Sequence, residues 1–200
     1  MPTSEAEWEE RHLRQAPGVP EEPSTILAEL LPLLPEGPAL DLACGSGRNT
    51  LLLAARQPVT AVDRSRAALD LLEQRARAAG HAVERRTAPE PARAGVHLVR
   101  CDLERTGLPQ QAFALIVCVR YLDRHRFREL SGALAPGGAL LFETYTRAQL
   151  AFPEGPKNPG HLLESGELRR AFPELRTRFY RELSAGQGIA SLLAEKPQRP

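Results

Sequence analysis

The run Leu40-Asp41-Leu42-Ala43-Cys44-Gly45-Ser46-Gly47-Arg48-Asn49 puts an acid inside an apolar segment, then a turn with two glycines, then a helix start. Gly45 and Gly47 let a ligand approach the backbone closely and accept positive φ. The free N–H groups of the following helix favour a carboxylate or phosphate. The spacing G-x-G-x-x-G is not completed, because Thr50 holds the third glycine position. Asp41 inside the strand is unwelcome beside a pyrophosphate but attractive to an ammonium. A second acid, Asp63, closes Val59-Thr60-Ala61-Val62, 22 positions after Asp41. Folds of this kind bind both ribose hydroxyls there. A third acid stands in Cys101-Asp102-Leu103, where Asp102 can accept from an adenine amine and the Leu103 N–H can reach a ring nitrogen. A nucleoside that also carries a carboxylate, an ammonium and a sulfonium fits this mixture, so S-adenosylmethionine is the expected cofactor. NAD-dependent hydride transfer is the competing reading.

These residues need strands that end at a common edge. Short apolar runs at Ala39 to Ala43, Pro58 to Val62, Val96 to Arg100, Phe113 to Val119 and Ala139 to Tyr145 read as strands, the last two buried on both faces. Ser24 is expected to cap a helix through Thr25 to Leu34, and further helices are expected from Arg48 to Arg56, Ser65 to Ala79, Asp123 to Leu134 and Ser165 to Phe172. Arg176 to Leu183 and Ile189 to Glu195 follow as two consecutive strands. Alternating strands and helices predict an α/β, doubly wound, mostly parallel sheet with an antiparallel pair at one edge. The segment Glu84 to Gly95 breaks the rhythm and reads as a mobile excursion.

The 200 residues are the length of one domain, and 42% hydrophobic content is ordinary for a globular chain. Lys+Arg 26 against Asp+Glu 25 leaves a net charge of +1, with no overall drive toward nucleic acid or an anionic membrane. The leucine-rich stretch from Ile26 to Leu34 is broken by Pro32, far short of a membrane span. Cys44, Cys101 and Cys118 match no metal or disulfide pattern, so no metal is expected, and their sparse use suits a reducing, cytoplasmic setting.

The run Asp41 to Thr50, with Asp63, Cys101-Asp102-Leu103 and Leu134-Ala-Pro-Gly-Gly-Ala-Leu140, resembles the class I S-adenosylmethionine-dependent methyltransferases. Gly47-Arg48-Asn49 resembles their tellurite-resistance branch, as do Trp8-x-x-Arg11 and Pro156-Lys157-Asn158-Pro159. The resemblance implies a Rossmann-like sheet of seven strands in the order 3-2-1-4-5-7-6, with strand 7 antiparallel. It implies that Asp41, Gly45 and Gly47 line the methionine end, Asp63 the ribose, and Asp102 and Leu103 the adenine. Cys118 to Tyr121 would pass beneath the ligand, and Arg11 or Arg48 would pair with its carboxylate. Ala43, Asn49, Arg64 and Cys101 complete the expected cofactor set. Ala43 and Ala114 depart from the family pattern, which has a glycine and an acid there. The expected organisation is an N-terminal arm or lid over residues 1–23 and one methyltransferase domain over 24–200.

Transfer from a sulfonium needs chiefly a positioned nucleophile. Thiolates and metalloid oxyanions need no strong base, whereas an amine or hydroxyl gains from one. Val119-Arg120-Tyr121-Leu122-Asp123 lacks the Asn/Asp-Pro-Pro-aromatic signature of amino-methylating nucleic-acid enzymes. Tyr145 and Tyr121 are the expected catalytic groups, with Glu143 and His125 nearby in sequence. Lys157 and Asn158 sit in a loop able to cover a substrate. A small-molecule methyl acceptor is expected, with no nucleic acid or membrane partner and a monomer or homodimer. A cofactor-binding sensor without turnover is the alternative.

Overall fold

The computed structural model describes residues 5–14 and 21–198, except for the side chains of Glu5, Ala6, Trp8 and Arg11. Helix α1 (Glu5–Leu13) is followed by α2 (Thr25–Leu30), which runs into a 3-10 turn at Leu31–Leu33. The chain then builds β1 (Ala39–Leu42), α3 (Arg48–Ala54), β2 (Val59–Asp63), α4 (Arg66–Ala78), β3 (Val83–Arg86) and β4 (Val96–Arg100). After β5 (Phe113–Val119) come α5 (Phe127–Ala133), β6 (Leu134–Tyr145), α6 (Glu167–Arg170), β7 (Arg176–Leu183) and β8 (Ile189–Glu195).

One eight-stranded sheet has the order β3-β4-β2-β1-β5-β6-β8-β7. All neighbours are parallel except β8 with β6 and with β7. Alternation within β5 explains why the sheet is covered on both sides. Ile116 and Cys118 pack with Leu40, Leu42 and Phe142 on one face, while Leu115, Val117 and Val119 pack with Ile26, Leu27 and Leu141 on the other.

The expected seven-strand order is present, with one strand more. Val83–Arg86 lies parallel to β4 at the sheet edge, where the sequence suggested only an excursion. Its burial falls on Val83 alone, so it carries no apolar alternation. The ladder to β4 and buried Val83 hold it, and Arg85 adds contacts to α4, donating to Glu73 at 2.8 Å and binding Asp70. The helix expected from Asp123 divides into a 3-10 turn at Arg124–Arg126 and α5. Pairing of β6 starts at Leu134 and shifts register before Ala139, so the Pro136-Gly137-Gly138 turn is absorbed within the strand. The helix expected over Ser165 to Phe172 is regular only over Glu167–Arg170. Ser24 precedes α2 without a side-chain cap bond, and its hydroxyl is buried without a partner among the described residues.

Register matters most at the carboxyl ends. Leu42 lies level with Val62 and with Cys118, Asp63 with Arg100, and Val119 with Glu143. The residues just beyond these pairs share one edge, at the point where chain order reverses beside β1. No helix among the described residues is long and apolar enough to cross a membrane.

Candidate active site

The turn after β1 carries three left-handed residues, Ala43 (φ 55°), Gly45 (φ 56°) and Gly47 (φ 88°). A Cβ on Gly47 would stand 2.1 Å from Leu72 Cδ1, so α4 packs where a side chain would be. At Gly45 the nearest contact of such an atom is 3.5 Å, to His12, so the backbone angle and not crowding selects glycine there. Ala43 adopts a similar φ with a Cβ, a strain of about 1–2 kcal/mol.

Asp41 is 1% exposed and accepts a 2.6 Å hydrogen bond from the Thr50 hydroxyl, which ties β1 to α3. Burial raises its pKa to about 7, and the neighbouring Asp63 charge adds to the shift. The Asp63 carboxylate accepts from the Gly45 and Ser65 N–H groups, each at 2.8 Å. Its pKa is also raised, first by burial, although those two N–H groups and His12 oppose the shift. Asn49 is turned away from the turn: its side-chain oxygen accepts the Ser24 N–H at 2.9 Å.

The loop after β4 is fixed from beneath. Buried Arg126 donates to the Leu103 carbonyl, and to Thr106 O at 3.1 Å, while pairing with Glu129 at 2.8 Å. Glu129 in turn accepts the Leu108 N–H at 2.6 Å. Asp102 shapes the loop through the Glu104 N–H at 3.0 Å.

At the end of β5, Arg120 takes φ 62° and gives its N–H to Glu143 O at 2.7 Å. Its guanidinium lies 5.9 Å from the centroid of Tyr145. Glu143 is buried and accepts the Ser191 hydroxyl at 2.6 Å. Burial raises its pKa, against Ser191 and the charges of Arg120, Arg181 and Arg48. The Tyr121 phenol is pushed up by burial and by Asp123.

A cavity of about 510 Å³ opens over this edge, within the ~300–1,000 Å³ common for small-molecule sites. Of the expected cofactor residues, Ala43, Gly45, Arg48, Asp63, Arg64, Asp102 and Leu103 line it, and so does Tyr121. Asp41, Gly47, Asn49, Cys101 and Cys118 are not among the lining residues, and neither is Tyr145. Tyr145 packs with Leu162 and Ile189. Arg11 and Trp8 carry side chains outside the described residues. His125 is exposed, and its N–H is capped by Asp123. Lys157 turns back onto the carbonyls of Gln149 and Phe152, and Asn158 accepts the Gly160 N–H.

Sequence reasoning did not single out His12, Glu21, Glu22 or Glu104, which also line the cavity. Two contacts bring the N-terminal segment there. Glu9 on α1 accepts from Ser65 Oγ at 2.6 Å and from the Ala67 N–H at 2.9 Å, at the start of α4. Ser46 Oγ donates to Glu21 at 2.7 Å. Neither contact leaves a pattern in sequence.

A methyltransferase domain family matches residues 39–138, from the first strand through the Pro136-Gly137-Gly138 turn. The chain belongs to that family, and its cofactor is S-adenosylmethionine. No curated protein sequence matches it. Among solved structures it is similar to an S-adenosylmethionine-dependent methyltransferase from Mesorhizobium loti (TM-score 0.64, 20% identity, 86% of this chain and 99% of that one). It is also similar to the N-methyltransferase NodS from Bradyrhizobium japonicum (TM-score 0.63, 19% identity, 94% and 96%). TehB from Haemophilus influenzae is a further match (TM-score 0.65, 18% identity, 86% of this chain and 61% of that one).

The residues present suit this cofactor. Gly45 lines the cavity without a side chain, and each Asp63 oxygen keeps a lone pair beyond its backbone bond. When bound, S-adenosylmethionine supplies a methyl group on a positively charged sulfur.

Proposed function

We propose that the chain methylates a small-molecule acceptor that arrives ionised or soft, such as a metalloid oxyanion or a thiol, as in the tellurite-resistance branch. The observation that carries this reading is the character of Tyr121. It lines the cavity beside the end of β5, and its phenol is protonated at neutral pH, all the more because burial and Asp123 push its pKa up. A protonated phenol donates a hydrogen bond and is no base, so it serves an acceptor that needs no deprotonation. His12, the other titratable ring on the cavity wall, stands against Gly45 and Asp63 instead. The size of the cavity supports a small acceptor.

In the same reading, Asp63 receives the ribose hydroxyls, Arg48 pairs with the donor carboxylate, and the Asp102–Leu103 loop holds the adenine. Residues 24–200 form the catalytic domain and α1 serves as a lid on residues 1–23, because Glu9 latches it to α4 and His12 reaches the cavity. The test is methyl transfer from radiolabelled S-adenosylmethionine to tellurite, selenite and a panel of small thiols. Label in a volatile or thiol-derived product supports the reading. Donor binding by calorimetry, with no transfer to any of these, replaces it with a sensor.

A further inference from the structure

We propose that Arg120 is the acceptor-binding residue of this site and that the acceptor presents an oxyanion to it: a carboxylate on a small organic molecule, or a metalloid oxyanion itself. The inference rests on the methyltransferase reading and adds the chemical class of its substrate.

Two guanidinium groups, Arg48 and Arg120, line the same cavity near the end of β5, close enough that the charge on Arg120 acts on Arg48. Acids act on Arg48 as counter-charges, Glu21 from the cavity wall and Asp41 and Glu143 from beside it. The donor brings a single carboxylate. Arg48 stands in the first turn of α3, directly after the glycine turn, which is where that carboxylate belongs. Arg120 is then left for a second anion.

The way Arg120 is held supports this division. It is an arginine with φ 62°, a conformation that costs a side-chain-bearing residue energy and persists only where its surroundings impose it. Here the imposing contact is its own N–H on Glu143 O at 2.7 Å, across the β5–β6 ladder. The guanidinium carbon lies 5.9 Å from the Tyr145 ring centroid, within reach of a cation–π contact. Arg120 is exposed, and among the described residues its side chain has no protein hydrogen bond or ion pair, so its donors face solvent at the cavity mouth. Buried Glu143 faces it as the compensating charge, but is already bonded to Ser191 at 2.6 Å. A planar fork with free donors at the open end of the cleft matches an oxyanion with two oxygens in one plane. Tyr145 is in this account a positioning residue that acts through Arg120.

The experiment is calorimetry on the full chain saturated with S-adenosylhomocysteine, using benzoate, selenite and the neutral benzamide as probes. Wild type is expected to bind benzoate or selenite and not benzamide, and whichever anion binds identifies its source. Arg120→Gln is expected to lose at least about tenfold in anion affinity with S-adenosylhomocysteine affinity unchanged, and Arg120→Lys to retain only part of it. Equal binding of benzamide and benzoate, or anion affinity unaltered in Arg120→Gln, overturns the proposal. So does a loss of S-adenosylhomocysteine affinity in Arg120→Gln, which would make Arg120 the partner of the donor carboxylate. Failure of wild type to bind S-adenosylhomocysteine refutes the methyltransferase reading instead. Circular dichroism of each variant confirms the fold.

Discussion

Asp41→Asn isolates the most consequential buried charge of the protein. The carboxyl is fully enclosed, and its pKa rises from 3.8 to about 7, first by burial and further by the Asp63 charge. A raised acid binds its proton more tightly in the folded state than in the unfolded one. Stability therefore falls as pH rises between about 4 and about 7, and is level above that. Three units at ~1.4 kcal/mol each amount to a penalty on the order of 4 kcal/mol above pH 7. The asparagine accepts the Thr50 hydroxyl as before and never ionises. It adds a buried amide N–H₂ whose missing partners cost ~1–3 kcal/mol, independent of pH.

The decisive quantity is thus the change in the difference between variant and wild type, in which that constant cost cancels. Between pH 5 and pH 8 it should move by roughly 2–3 kcal/mol in favour of Asp41→Asn. Because Asp41 and Asp63 influence each other, the change belongs to the pair. Urea denaturation followed by circular dichroism at four pH values measures it. A difference that stays constant across this range would falsify the raised pKa. Calorimetry with S-adenosylhomocysteine adds a second readout, since an ionised Asp41 attracts the ligand ammonium. Affinity should rise with pH in wild type and stay flat in the variant.

Asp63→Ala should weaken S-adenosylmethionine by ~1–3 kcal/mol through loss of a charged acceptor, and unchanged affinity by calorimetry would remove the ribose assignment. Gly47→Ala should destabilise the fold by about 1–3 kcal/mol, as an overpacked core site does, because its Cβ meets Leu72 at 2.1 Å with φ at 88°. A melting temperature equal to wild type contradicts that packing. Glu9→Ala removes the acceptor for Ser65 Oγ and the Ala67 N–H and should cost about 1 kcal/mol, as loss of a helix cap does. Deleting residues 1–22 should in addition lower donor affinity or turnover. If both match the full-length values, α1 is no lid.

Much of this architecture was legible because hydrophobic runs and strand ends are local. β5 and β8 lie where apolar segments bounded by turn residues predict them. β3 was not legible, since Glu84-Arg85-Arg86 looks like a solvated run, and only folding brings near the β4 ladder and the α4 carboxylates that Arg85 meets. Arg126 belongs to the same kind. In Arg124-His125-Arg126-Phe127-Arg128 nothing separates it from its exposed neighbours, yet it is 6% exposed and fastens the loop that carries Leu103. His12 and Glu21 reach the cavity through contacts far apart in sequence, Glu9 with Ser65 and Glu21 with Ser46.

Asp41 shows a subtler limit. Its type and position suggest an acid serving a cationic ligand, but alternation along β1 turns its side chain toward Thr50. Its charge can act on a ligand only across the glycine turn. In a medium of low dielectric that separation weakens the attraction less than it would in water, while the same medium holds its proton up to about pH 7. Close approach and electrostatic attraction are therefore supplied by different residues. In the proposed reading Gly45 and Asp63 give the surface a ligand meets, and Asp41 supplies a potential that pH can switch. A mutation at the surface should change affinity at every pH, whereas Asp41→Asn should change mainly its pH dependence.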